Sequence, residues 1–223
     1  MIARLTVIAA LLAAPMAVAQ EPAREPASAA QLAAASAEAD ALIAGTGSPE
    51  LFINVSRDGM AKVQHKASGL VCSYVPGAEN NSLMVWDHPN MPRGDDVGCN
   101  ADIGPAYMTY YATRYGPGFS AADSAHEAAQ AIRDRWPDAR PYEGMMARVE
   151  PPEGVTESEF VALLIGPEGS QRYTHALTAK VGEWVFKQRM TGDGDEDSIM
   201  ANQMVAGVFF HGILQTAAGQ AKR

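Results

Sequence analysis

Five histidines, two cysteines and a serine set three residues after a histidine are the side chains best suited to chemistry in this chain. The stretch Val63–Cys72, VQHKASGLVC, gathers His65, Ser68 and Cys72. A serine near an imidazole is the start of a nucleophile–base pair, yet acyl transfer also needs a G-x-S-x-G elbow and oxyanion donors. Neither is present, and Ser68-Gly69 is a turn signal, so the stretch reads as a hairpin in which Gly69 supplies a left-handed backbone. His65 and His175 fall in phase with the apolar faces of their strands, and His211 sits in an apolar helix. Three converging imidazoles would hold zinc, but no H-x-H or H-x-x-x-H spacing prepares them. Asp193-Gly194-Asp195-Glu196-Asp197 resembles a calcium loop until its sixth position, Ser198, and its twelfth, Met204, which should be glycine and glutamate. It reads instead as a turn and an acidic helix start. No phosphate-cradling, haem or dinucleotide motif occurs, so no catalytic residue, metal ligand or cofactor is expected.

The cysteines depend on compartment. Met1–Arg4 is a short positive start, Leu5–Pro15 an apolar run, and Ala17-Val18-Ala19 a small-x-small cleavage signature. Residues 1–19 therefore read as a secretory signal peptide, and the mature chain as exported, periplasmic or secreted, with no transmembrane segment left after cleavage. Cys72 and Cys99 then have only each other, and a disulfide is expected. A reactive thiol would need a partner such as His65. Loss of Arg4 leaves 16 basic against 26 acidic side chains, a formal charge of −10. That balance disfavours nucleic acid as a partner.

The elements that position these residues follow from periodicity. Residues 20–48 form an alanine- and proline-rich tether with a marginal helix over 28–44, carrying Leu32, Ala35, Ala39, Leu42 and Ile43. A chain starting near Pro49 is expected to melt within about 1 kcal/mol of the mature protein. Residues 49–223 read as a single domain. Strands are expected at Leu51–Ser56, Ala61–Ala67, Leu70–Val75, Ser82–Trp86 and Ala106–Tyr115, with a helix from Ser120 to Trp136. Met145–Val149 is a further candidate strand, and Phe160–Ile165 one buried on both faces. With Tyr173–Ala179 and Trp184–Met190, Phe160–Ile165 makes an antiparallel meander. A last helix spans about Asp195–Thr216, with Met200, Met204, Val208, Phe209, Ile213 and Leu214 as its apolar residues. The fold class is α+β: an antiparallel-rich sheet covered by two main helices, with one alanine-rich N-terminal helix.

A signal peptide, a hairpin carrying SGL-x-C, a central helix, a three-stranded meander and a terminal helix resemble the PsbP-like fold over Leu51 to Leu214. The pairing HKASGLVC…DVGC is similar to uncharacterised exported bacterial proteins. PsbP-like proteins are mostly non-enzymatic accessory factors, so the resemblance implies an interaction domain with a protein or envelope partner, and transfers no functional residue. A small hydrolase or metal-dependent enzyme using His65 with His175 is the alternative. An apolar-ligand carrier with a cavity between sheet and terminal helix is the second.

Overall fold

Ser28 starts the first helix, α1 (Ala29–Gly45), through a capping box: its hydroxyl accepts from the Gln31 amide while the Gln31 side chain accepts from the Ser28 amide. The computed structural model describes residues 26–103 and 106–222; the signal peptide expected at 1–19 and most of the tether before α1 lie outside the described residues. The small side chains of Ala35 and Ala39 are fully buried, which lets α1 lie close on the strands that follow. Asn54 Nδ2 donates to Ser36 O at 3.0 Å and Asp40 Oδ1 at 2.8 Å. Glu38 accepts from the Gly77 amide and from Asn81, both at 2.7 Å. The 28–44 stretch is thus docked.

Strands β1 (Phe52–Asn54), β2 (Ala61–His65) and β3 (Val71–Tyr74) form a three-stranded antiparallel sheet in sequence order. Next come β4 (Ser82–Val85), β5 (Asp96–Ile103), β6 (Ala106–Thr113), helix α2 (Ala121–Arg135), β7 (Arg140–Pro141), β8 (Glu157–Ile165), β9 (Arg172–Val181), β10 (Trp184–Asp193) and helix α3 (Glu196–Ala221). The second sheet has the order β4-β5-β6-β10-β9-β8-β7 with antiparallel pairings. This is the expected α+β class, including the alanine-rich N-terminal helix.

Period-two alternation divides the large sheet into two faces. On one, Thr178 Oγ1 donates to Ala121 O at 2.8 Å and Leu163 and Ile165 pack on Ile132, which seats α2. On the other, Tyr173, His175, Phe186 and Met190 lie in the core beneath α3, whose Gln203 donates to the Tyr173 hydroxyl at 3.0 Å. The small sheet packs against the same large sheet, and Cys72 of β3 is bonded to Cys99 of β5 with a Cα separation of 6.2 Å. The disulfide joins the two sheets.

Two sequence expectations need correction, and one strand, at residues 96–103, is not anticipated by the sequence. Residues 96–103 are a strand, although Gly98, Asn100 and the aspartates are poor strand formers; β4 and β6 supply hydrogen bonds on both edges. Met145–Val149 joins no sheet: the Ala147 amide donates to Gln203 Oε1 at 2.6 Å and Val149 packs against Gly207, so α3 holds this segment. The edge beside β8 goes to β7 instead. Helix α3 also continues to Ala221, its last turns tied to the β2–β3 turn by Gln220, which donates to Lys66 O.

Candidate functional site

The VQHKASGLVC turn is closed by backbone bonds before any side chain acts. The His65 amide donates to Leu70 O and the Gly69 amide to His65 O, each at 2.9 Å, with Gly69 at φ 77°. Ser68 Oγ accepts from the Leu70 amide at 3.1 Å, and the Ser68 amide donates to His65 Nδ1 at 3.3 Å, which makes that nitrogen an acceptor for the Ser68 hydroxyl 2.9 Å away. The geometry of a serine–histidine pair is therefore present. What it lacks among the described residues is a carboxylate orienting the other ring nitrogen: the imidazole stands instead against Phe52 at 5.3 Å and edge-on to Trp184 at 5.6 Å. Both side chains are almost wholly buried, at 1% for His65 and 4% for Ser68. Burial pushes the His65 pKa down to about 4, against a partly compensating field from Asp95. The pair acts as a turn cap built from side chains.

His175 belongs to a different place. It sits in β9 six positions before Val181, whose cross-strand partner Trp184 touches His65; along a strand that is roughly 20 Å. The structure therefore separates the two histidines that an enzyme reading would pair. His175 is fully buried between Phe160 and Tyr173, each 5.4 Å away, and burial holds its pKa down to about 4. Neither of its nitrogens, nor Gln188 Oε1, has a hydrogen-bond partner among the described residues. His211, on α3, pairs its Nδ1 with Glu150 O at 2.9 Å. No group of three histidine, cysteine or acidic side chains converges to hold a metal ion among the described residues. Asp195 caps α3 through the Ser198 amide at 3.0 Å, as a helix start does.

The feature to which sequence reasoning assigned no face is α3, where of the apolar residues it named Ile213 and Leu214 are buried and Met204, Val208 and Phe209 are not. Its buried side carries Ile199, Asn202, Gln203, Ala206 and Phe210, whereas Met204, Val205, Val208 and Phe209 are exposed, Val208 at 59%. A helix apolar on nearly all sides gives no stripe from which to choose a face. The signal lay in the polar pair: Gln203 is needed inside, where it bonds Tyr173 and Ala147. A cleft of about 140 Å³ lies between α3, residues 147–151 and the ends of β8 and β9, walled by Phe160, Leu177, Phe210 and Leu214 with His211 at its side. Val208 and Phe209 of the exposed row wall a separate cavity of about 210 Å³ with Lys62, Val71 and Tyr110.

No family model and no curated protein matches the chain. Among solved structures it is similar to a Pseudomonas aeruginosa protein of unknown function, with a TM-score of 0.36 and 9% identity over 68% of this chain and 94% of that one. It is also similar to LpqN of Mycobacterium tuberculosis, involved in cell envelope biogenesis, with a TM-score of 0.27 and 15% identity over 62% and 77%. Likeness of this size assigns neither partner nor chemistry, and no comparison supports the PsbP-like resemblance.

Proposed function

We propose that the chain is an exported, non-catalytic binding module of the cell envelope that grips a protein partner along α3. The observation that carries this reading is the exposed row Met204, Val205, Val208 and Phe209, of which Val208 and Phe209 wall a cavity of about 210 Å³ with Val71 and Tyr110. Contiguous exposed apolar surface marks an interaction site. The cavities along the middle of α3, about 140 and 210 Å³, are small for ligand pockets of about 300–1,000 Å³, which favours a binder over a carrier there, although the space beside Trp184 and Ala217 at the helix end reaches about 340 Å³. The 140 Å³ cleft is the smallest of the three. It suits one benzene-sized side chain of a partner, the anchor-in-pocket arrangement of binding hot spots. Export is supported by the residue 1–19 signature and by the Cys72–Cys99 bond, which persists in oxidising compartments. No helix of the described residues is long and apolar enough to cross a membrane.

A photo-crosslinking residue at Met204 tests the surface in intact cells. A discrete adduct is expected there, absent when the same residue is placed at exposed Asp134 on α2, and lost when Val208→Asp is added. An adduct of equal yield at both positions, or one indifferent to Val208→Asp, would sink the proposal.

A further inference from the structure

The large sheet is only half covered on the α2 side. Helix α2 rests on β8, β9 and the near edge of β10, and among the described residues no helix makes substantial contact with β5 or β6 there. On this open half, Tyr111 of β6 stands between Gly98 of β5 and Lys187 of β10, and Thr109 stands between Asn100 and Arg189. The Trp86 indole crosses over Gly98, where a Cβ would come within 2.8 Å of it, and stacks on Tyr111 at 5.5 Å and 18°. Lys187 Nζ lies 4.6 Å from the Tyr111 ring centroid. Indole, phenol and ammonium thus form one row across the sheet. Arg189 lies two residues along β10 on the same side, about 7 Å from Lys187 at strand spacing.

Neither cation is within ion-pair distance of a carboxylate among the described residues. This is unexpected in a chain with 26 acidic side chains and a formal charge of −9. The nearby Asp96 is already engaged, by His88 Nε2 at 2.7 Å and Thr113 Oγ1 at 2.8 Å. Burial and then the field of Arg189 hold the Lys187 pKa below its ordinary value, with Asp96 and Glu127 offsetting only part of the shift, so the pair is held together at a cost that a further anion would relieve.

We infer that this open face binds a saccharide phosphate, with Lys187 and Arg189 on the phosphate and the sugar's C–H face against Trp86. A phosphate dianion offers three oxygens to two neighbouring cations and the Tyr111 hydroxyl, where a carboxylate offers two. The negative face of the indole suits the weakly positive C–H groups of a sugar ring. The site lies on the opposite side of the sheet from α3 and stands or falls separately from the partner surface proposed there.

The test titrates the mature protein at low salt with inorganic phosphate, a hexose 6-phosphate, and phosphatidylglycerol-containing vesicles, following amide and indole NMR shifts. Hexose phosphate should shift the Trp86 indole and bind more tightly than inorganic phosphate. Lys187→Met and Arg189→Gln should each weaken it about tenfold or more with unchanged circular dichroism. Trp86→Phe should erase the advantage over inorganic phosphate, and Val208→Asp should change nothing. The inference is overturned by no shift at about 10 mM hexose phosphate, a range typical of the weakest specific sites. Equal affinity in both charge variants, inorganic phosphate binding as tightly, or binding to vesicles alone would each overturn it as well.

Discussion

At the scale of single residues, the two buried histidines lead to opposite expectations. His65 accepts from the Ser68 hydroxyl and packs between Phe52 and Trp184. His65→Ala therefore removes both a filled volume and an acceptor, and should lower stability by about 3 kcal/mol in urea unfolding. His175 has neither nitrogen bonded. A buried polar group without partners destabilises the state that buries it, so an apolar residue of similar size costs little or stabilises. His175→Leu should leave the urea midpoint unchanged or raise it; a large drop would show that the imidazole does bond in the folded state. The same residues set a pH dependence. Unfolded histidine titrates near 6.5, while both folded rings are held down to about 4. Between those values the unfolded chain takes up protons that the native chain refuses. Stability should therefore fall as pH drops from about 6.5 to about 4, by up to about 3 kcal/mol for each ring, and neither ring contributes above that window. Equal urea midpoints at pH 7.5 and 4.5 would contradict this, and His175→Leu should remove about half of the loss.

At the scale of elements, the disulfide and α3 do different work. The Cys72–Cys99 bond spans 27 positions and holds β3 against β5. In the chain-entropy account a loop of that length stabilises by about 3–4 kcal/mol. Replacing both cysteines with alanine should lower the unfolding free energy by that amount, and alkylation under denaturing, non-reducing conditions should add no label, where two labels would sink the disulfide. Helix α3 is held by its polar inner residues as much as by its apolar ones. Gln203 satisfies Tyr173 and the Ala147 amide, so Gln203→Leu should destabilise more than Val208→Asp. The first leaves a buried hydroxyl and amide unpaired, whereas the second lies on solvent-exposed surface, where substitutions move stability by about 0.5 kcal/mol or less. The reverse order in thermal melts would place the wrong face of α3 inward.

At the scale of the whole molecule, α1 changes what truncation should do. Its Ala35 and Ala39 are fully buried, and Asn54, Gly77 and Asn81 spend hydrogen bonds on it. A chain starting at Pro49 leaves those groups and the apolar floor under the helix exposed. We expect it to lose about 2–4 kcal/mol, more than the roughly 1 kcal/mol expected from sequence; melting indistinguishable from the mature chain would restore that smaller figure. Composition could not show this, because two alanines bury little area by themselves and gain their effect from how closely they let the backbones approach. The sequence by itself determined the features written in local chemistry. These are the antiparallel meander of β8, β9 and β10, the Ser120 cap, the Gly69 turn, the apolar phase of His65 and His175, and the α+β class. Tertiary structure alone decided what depends on a distant partner. Strand β5 exists because β4 and β6 flank its glycine and polar residues, and Met145–Val149 is claimed by α3 instead of a sheet. The inward face of α3 was set by Tyr173 calling for Gln203. His65 and His175, each read correctly as buried, came to lie far apart because burial is a local preference, whereas convergence depends on the register and order of strands.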